Sequence, residues 1–298
     1  PGYLRARSFD TFTQSIWRAS FTTRAVSPAA PDDAPPKPAQ AVGEPFIIAP
    51  ISERPIGMDL WPSPQIATGM FTPAATSTIW APTTAVEIDE NGVIDSKQIS
   101  GGVNYYAQAR RDRPAEELDA DRRTRYLQLP DALDPRVLAL AGDLFENAQT
   151  PADKIAAVER FFHDHFSYKI GVDIPAGQDP LSYFLLNRPP AHCEFFASGA
   201  AILLRAGGVP CRYVTGLVAL EDSPVGDYWI ARNRDAHAWV EAYDDSTRCW
   251  MLVEATPAGG APVGREGGLL STLWQHLRFR LQELQVYIQL FGWRGLGL

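Results

Sequence analysis

Apolar and polar residues alternate in short runs over the first third of the chain. The runs from Tyr3 to Phe9 and from Ile16 to Val26 predict two strands around a turn at residues 10–13. The tripeptide Glu90-Asn91-Gly92 lies between short apolar runs and predicts a hairpin. Residues 102–110 alternate again, so a further strand is predicted there.

Proline is frequent in the same part of the chain. Nearly half of the 25 prolines lie between Ser27 and Thr83, which excludes long helices from this stretch. Residues 29–41 are expected to form an exposed proline-rich loop, and the short apolar groups after them suit edge strands and turns. We therefore predict a β-rich N-terminal domain at residues 1–112.

Apolar residues with the spacing of a helix begin after a charged connector, which we place at residues 113–133. Asp followed by Pro suits the N-cap and first position of a helix, which is predicted over 134–147. A capping-box-like start at Thr150 predicts a second helix, with one apolar stripe, over 150–166. A short third helix is predicted over 181–187.

A fourth helix is predicted to begin at Cys193, directly after the helix-avoiding pair Pro189-Pro190, and to end at Gly207-Gly208. Strands follow it. Apolar and β-branched runs separated by turns at 224–226 and 244–246 predict four of them, at 209–220, 227–231, 237–243 and 249–254. These elements define a domain at 134–262.

The C-terminal segment, 263–298, carries an amphipathic helix over 269–291. Its charged residues Arg278, Arg280 and Glu283 exclude a membrane span.

Charge and cysteine content narrow the function classes. The net charge of −8 and a pI near 5.2 argue against nucleic acid as a partner, because phosphate binding needs a concentrated basic face. The three cysteines include no C-x-x-C pair, which argues against a disulfide scaffold and against a zinc cluster. Cys211 and Cys249 are expected to be buried thiols, with a disulfide between them as the alternative. No metal or cofactor is predicted.

Cys193 is the candidate nucleophile. The partial positive charge at a helix N-terminus favours thiolate over thiol. A cysteine nucleophile also needs a base, and His237 is the strongest candidate because the small and apolar residues beside it in its strand would hold the ring. Trp239 lies on the same face of that strand. His192 neighbours Cys193 in sequence and is expected to line the pocket.

The remaining histidines are weaker candidates for the catalytic base. His163 and His165 lie among acidic and aromatic residues of a predicted helix and suit solvated or capping roles, while His276 has no evident partner. An acid to orient His237 is expected on the next hairpin strand. There Glu254 is the one acid in an apolar run, and burying it costs several kcal/mol unless it is paired. His237 is its predicted partner.

The predicted cysteine, histidine and acid thus lie on a helix, on a strand and on the next strand. This order is similar to that of the transglutaminase-like (transglutaminase-core) superfamily, a branch of the papain-like cysteine fold. The resemblance covers about residues 130–260 and is carried by the segments 192–197 (HCEFFA), 204–216 (LRAGGVPCRYVTG), 235–241 (DAHAWVE) and 253–257 (VEATP). It implies an α+β fold in which the cysteine-bearing helix packs on an antiparallel sheet.

The resemblance also implies roles for three residues. Cys193 would be the nucleophile, His237 the base and acid, and Glu254 the orienting residue. Two positions depart from the family pattern, which usually has Asp in place of Glu254 and a small residue in place of Cys211.

The implied reaction is acyl transfer through a thioester on a glutamine carboxamide or a peptide carbonyl. The acceptor is a primary amine, as in a transglutaminase, or water, as in an amidase or protease, and the sequence leaves the two open. Substrate-binding roles are expected for His192 and Trp239. A catalytically silent peptide-binding or cell-wall-binding module is the alternative, and recognition by the β-rich domain is a third hypothesis.

The first residues and the order of domains look like the extracytoplasmic portion of bacterial membrane-anchored transglutaminase-like proteins. The chain opens on Pro1 without a signal peptide and is expected to be part of a longer protein. Any attachment to a membrane would then run through segments outside this sequence, and a periplasmic or cell-surface location is expected.

Overall fold

A computed structural model describes residues 2–20, 22–64, 69–99, 101–223 and 227–260. The predicted turn at 224–226 and the C-terminal segment 263–298, with its predicted helix, lie outside the described residues. The strands of the N-terminal part are β1 (Gly2–Phe9), β2 (Thr11–Thr13), β3 (Ile16–Arg18), β4 (Thr23–Val26), β5 (Glu44–Ile47), β6 (Ile56–Leu60), β7 (Thr72–Pro73), β8 (Thr76–Ala81), β9 (Val86–Asp89), β10 (Ile94–Asp95) and β11 (Tyr105–Ala109).

The remaining part carries helices followed by strands. They are α1 (Ala120–Tyr126), α2 (Pro135–Phe145), α3 (Pro151–His165), α4 (Pro180–Asn187), α5 (Cys193–Ala206), β12 (Cys211–Ala219), β13 (Glu221–Asp222), β14 (Trp229–Ile230), a short 3-10 helix (Asn233–Asp235), β15 (Ala236–Asp244) and β16 (Cys249–Val253). None of the helices in the described ranges is long and apolar enough to cross a bilayer.

The predicted helix starts are confirmed by their caps. The side chain of Asp134 accepts the backbone N–H of Arg136, and Thr150 forms a reciprocal capping box with Asp153. Both helices end one or two residues before the predicted ends. Helix α1 lies within the assigned connector, whose interleaved charges suit either a solvated helix or a linker. No apolar stripe marks it, since Tyr126 is its one buried residue.

The main sheet has the order β16-β15-β12-β1-β7, and every pair in it is antiparallel. Helix α5 packs against β15 and β12. The helix buries an almost continuous run from Phe196 to Arg205 in the core that it shares with the sheet and helices α2, α3 and α4. The predicted arrangement of a cysteine-bearing helix on an antiparallel sheet is therefore confirmed.

Strand β1 lies inside this main sheet. It pairs with β12 from Gly2 opposite Ala219 to Phe9 opposite Tyr213, although it belongs to the segment predicted as the β-rich domain 1–112. Strand β7 of the same segment also joins the main sheet, at its edge beside β1. The other strands of the segment form two smaller sheets, β5-β8-β11-β6 and β10-β9-β4, and the hairpin of β2 with β3. The domain limits at 112, 133 and 262 stay predictions.

The turn predicted at residues 10–13 is wrong in part. Residues 11–13 form β2, which pairs with β3, and the tight turn falls at Gln14 and Ser15, which both adopt positive φ. The buried ring of Phe12 packs against Trp17 with centroids 4.9 Å apart. This cross-strand contact extends the alternating pattern through the residues that had been assigned to a turn.

The cysteines of the chain are all free thiols. Cys211 is buried as expected, whereas Cys249 is half-buried. Strand β15 lies between them, because Cys211 is opposite Ala242 and Cys249 is opposite Asp244. The alternative of a disulfide between the two is therefore wrong.

A buried ionic cluster ties β1 to the two strands beside it. Glu241 of β15 lies 2.6 Å from Arg212 of β12 and 3.1 Å from Arg5 of β1, and all three side chains are at most 8% exposed. Burial by itself raises the pKa of the Glu241 carboxyl, but the charges and hydrogen bonds of both arginines outweigh burial and hold the pKa at about 2. The ionised carboxylate is therefore part of the folded core.

We predict that Glu241→Ala lowers the free energy of unfolding by about 3–5 kcal/mol, because it leaves two buried guanidinium groups without their carboxylate. Since the folded pKa lies below the ordinary 4.5, the stabilisation is present above pH 4.5 and is lost as the pH falls towards about 2. Urea denaturation at several pH values measures both effects.

The matched control is Glu117→Ala, which removes the exposed partner of Arg248. This surface pair should contribute far less to the free energy of unfolding. Equal losses in the two variants would contradict a structural role for the buried cluster.

Candidate active site

Cys193 is the first residue of α5, and its position is set by the chain before it. An isolated parallel bridge joins Tyr168 to Ala191, two residues ahead of the cysteine. His192 is the N-cap residue and makes no side-chain capping hydrogen bond to the helix. The first turn of α5 therefore keeps backbone N–H groups that no capping side chain occupies. Cys193 itself is half-buried.

His237 lies near the start of β15, opposite Gly216 of β12, and is 6% exposed. Its Nε2 atom is 2.7 Å from Oε2 of Glu254. Burial alone lowers the pKa of the ring, but hydrogen bonds to Cys193 and to Glu254, together with their charges, outweigh burial and raise the pKa of His237 to about 9. Because Nε2 is taken by Glu254, Nδ1 is left to face the thiol.

Glu254 follows directly after β16 and is held at both carboxylate oxygens. Oε1 accepts the backbone N–H of Thr256 at 2.9 Å, and Oε2 accepts from His237 and from the hydroxyl of Tyr3, which is 2.6 Å away. Burial raises the pKa of Glu254, but these hydrogen bonds and the charge of His237 outweigh it and lower the pKa below its usual value. The carboxylate is thus ionised and oriented towards the ring.

Helix α3 holds the backbone of Glu254. The side chain of Glu159 accepts the Glu254 N–H at 2.9 Å, and Nε2 of His163 lies 3.1 Å from the Glu254 carbonyl oxygen. Glu159 and His163 are one helical turn apart and therefore point to the same side of α3. Burial raises the pKa of Glu159.

The sequence did not indicate three of these contacts. Tyr3 is separated from Glu254 by 251 residues, and nothing in the pattern links the two. His163 is exposed, in keeping with the expected solvated role, and its contact with the carbonyl oxygen of Glu254 was not indicated. The i, i+4 pair Glu159 and His163 beside the apolar stripe of α3 is the one local signal that could have drawn attention to this helix face.

The two residues predicted to bind substrate are placed differently. His192 lies beside Cys193, partly exposed, with Nε2 3.4 Å from Glu194 and its ring edge-on to Phe195. Trp239 is 1% exposed and packs between Tyr3 and His237. Their roles in binding a substrate stay predictions.

Within the described ranges, no group of three or more His, Cys, Asp or Glu side chains gathers in a way that could hold a metal ion. The chemistry available at the site is that of a thiol beside an imidazole that is hydrogen-bonded to a carboxylate. This arrangement can generate a nucleophilic sulfur and move a proton to and from it.

The chain is similar to a protein family and to two curated proteins. Residues 138–255 match the model of the transglutaminase-like superfamily core. The protein-glutamine gamma-glutamyltransferase of Pseudomonas aeruginosa is 37% identical over 156 residues, which are 52% of this chain and 22% of that protein. The uncharacterized protein YebA of Bacillus subtilis is 34% identical over 139 residues, 44% of this chain and 19% of that protein. The matched part thus spans about a fifth of each relative's length.

The fold is shared with a solved structure. The crystal structure of the periplasmic domain of TgpA from Pseudomonas aeruginosa aligns with a TM-score of 0.62 at 24% identity, over 85% of this chain and 81% of that one. The aligned region extends well beyond the family match, so the similarity in fold includes much of the β-rich part. The core at residues 138–255 thus matches the transglutaminase-like superfamily.

Proposed function

We propose that the chain catalyses cysteine-dependent acyl transfer, with Cys193 as nucleophile, His237 as base and acid, and Glu254 as the residue that orients His237. The observation that carries the proposal is the pairing of His237 with Glu254, 2.7 Å apart, beside the Cys193 thiol, which together with Glu254 raises the pKa of His237. The extra methylene of glutamate is compatible with an orienting role, because the distance of 2.7 Å is that of a well-formed hydrogen bond between two charged groups.

The first half of the reaction forms a thioester. The sulfur of Cys193 attacks the carbonyl carbon of a carboxamide, and the electron pair of the C=O double bond moves to the oxygen. When the carbonyl re-forms, the C–N bond breaks and His237 gives its proton to the departing nitrogen, which leaves as ammonia. Because the pKa of His237 is raised, the ring carries this proton at neutral pH.

The tetrahedral oxygen needs hydrogen-bond donors. Backbone N–H groups at the start of α5, including that of Cys193, are suited to this task, since His192 offers them no side-chain cap. The same N-terminus carries the positive end of the helix dipole, which favours negative charge on the sulfur and on the oxygen. The N-terminus of α5 thus stabilises both the negative sulfur and the negative tetrahedral oxygen.

In the second half, a primary amine or water attacks the thioester carbonyl. The nucleophile gives a proton to neutral His237, the C–S bond breaks, and the Cys193 thiolate is regenerated beside the imidazolium. Glu254 keeps the ring aligned throughout and stabilises its positive charge.

A glutamine side chain is the proposed acyl donor. The support is the relative named protein-glutamine gamma-glutamyltransferase, with which this chain shares 37% identity. That relationship also favours a primary amine as acceptor over water, and the assay below separates the two by their products. We further propose an extracytoplasmic location for the protein that contains this chain, because its structural relative is a periplasmic domain.

We predict that a glutamine-containing peptide library incubated with a primary amine gains amine adducts with the native chain and none with Cys193→Ala. Without the sulfur no thioester can form, so the loss should be complete within detection. Mass spectrometry of the peptides measures amine adducts and, if water is the acceptor, deamidated glutamines.

Cys249→Ala is the matched control, because it removes another half-buried thiol far along the sheet from His237. It should keep native activity. Adduct formation by Cys193→Ala would refute the mechanism, and a native chain that binds the peptides without converting them would favour the silent binding module.

The pH dependence of turnover should follow His237. Activity requires the protonated ring, so we expect turnover to fall as the pH rises through the raised pKa of His237, about 9. Glu254→Gln removes the charge that helps to raise the pKa of His237. In that variant the alkaline fall should move to lower pH, and rates across the pH range measure the shift. An unmoved alkaline limb would contradict the orienting role of Glu254.

Fractionation of cells that make the full-length protein tests the location. We expect the region containing this chain to be cleaved by a protease added to spheroplasts, while a cytoplasmic marker stays intact. Recovery of the protein only in the cytosolic fraction would overturn the proposed location.

A further inference from the structure

Tyr3 is the residue of the site that is most distant in sequence from the others. Its hydroxyl donates to Oε2 of Glu254 at 2.6 Å, and that oxygen also accepts Nε2–H of His237 at 2.7 Å. The oxygen that orients the imidazole is therefore fixed by a second donor from another strand. Such a donor restricts rotation of the carboxylate, which otherwise turns freely about its last bond.

The phenol is itself held in place. Its ring packs edge-on against Trp239 with centroids 5.0 Å apart, and Trp239 stacks in turn near His237. Strand β1 approaches β12 closely because Gly216 has no side chain. A Cβ atom at Gly216 would lie 1.9 Å from the carbonyl oxygen of Leu4, the residue that follows Tyr3.

The surroundings of the Tyr3 phenol keep its hydroxyl protonated, so that it can donate a hydrogen bond. Burial, followed by the charge of Glu254, raises the pKa of Tyr3 well above its usual value, so the hydroxyl keeps its proton. The titratable groups that face Glu254 are Tyr3 from β1, His237 from β15, and Glu159 and His163 from α3. Tyr3 is the one neutral donor to the carboxylate side chain among these four.

We infer that Tyr3 is a positioning residue for the proposed acyl transfer: it fixes the Glu254 carboxylate in the orientation that aligns His237 with Cys193. The inference rests on the proposed function for its effect on turnover. Its geometry, however, concerns the free enzyme, so it is also open to a test that needs no substrate. Tyr3 acts through Glu254 and does not touch the reacting atoms.

The test is a double-mutant cycle of Tyr3→Phe and Glu254→Asp, read by amine incorporation and by the pH dependence of Cys193 alkylation with iodoacetamide. Tyr3→Phe should lower kcat roughly tenfold with little change in KM, because alignment in the transition state is lost while substrate contacts remain. It should also move the acid limb of alkylation to higher pH, since a carboxylate without this donor supports the imidazolium less well.

In the Glu254→Asp background, Tyr3→Phe should have no further effect, because the shorter side chain withdraws the carboxylate from the hydroxyl. The matched control is Tyr243→Phe, which removes a hydroxyl bound to the carbonyl oxygen of Glu116 at the far end of β15. That variant should keep the native kcat and alkylation profile. Thermal unfolding of each variant checks that it is folded.

Two results would overturn the positioning role. One is a folded Tyr3→Phe variant with native kcat and an unmoved alkylation profile. The other is an equal loss from Tyr3→Phe in the native and Glu254→Asp backgrounds, which would place its action elsewhere. If the native chain turns over no glutamine peptide while the alkylation profile still shifts in Tyr3→Phe, the proposed acyl transfer fails and the positioning role stands.

Discussion

A carboxylate buried between two guanidinium groups determines how the main sheet is assembled. Glu241 of β15 is satisfied by Arg212 from β12 and by Arg5 from β1, so withdrawal of β1 would take away one of the two buried cationic partners of this carboxylate. Strand β1 therefore cannot leave the sheet without a large cost in free energy. Because Tyr3 lies two residues before Arg5, the same cluster that anchors β1 also brings the phenol to the candidate active site.

The site is assembled at one end of this sheet from elements with different tasks. Helix α5 presents Cys193 at its N-terminus, β15 presents His237, and the residue after β16 supplies Glu254. The carboxylate is fixed by hydrogen bonds to its backbone from α3 and to its side chain from β1 and β15. A hydrogen-bonded series of this kind can be aligned only when every member is held, since a small displacement of the ring costs much of the rate.

Several parts of this arrangement could be predicted because their causes are local. The caps at Asp134 and Thr150, the start of α5 after Pro189-Pro190 and the glycines at its end depend on backbone geometry within a few residues. The pairing of Glu254 with His237 followed from the cost of burying an unpaired acid in an apolar strand. Helix α1 could not be separated from a charged linker, because it carries no apolar stripe.

The sequence by itself determined the order of the elements, the helix that starts at Cys193, and the three residue types of the candidate active site, since these depend on propensity, periodicity and charge within short segments. Only the tertiary structure decided that β1 belongs to the main sheet, that Tyr3 reaches Glu254, and that Glu159 and His163 hold the backbone of that residue. Pairing between distant strands depends on close approach, such as that at Gly216, and on mutual burial of charge. These are properties of the packed molecule that no local pattern contains.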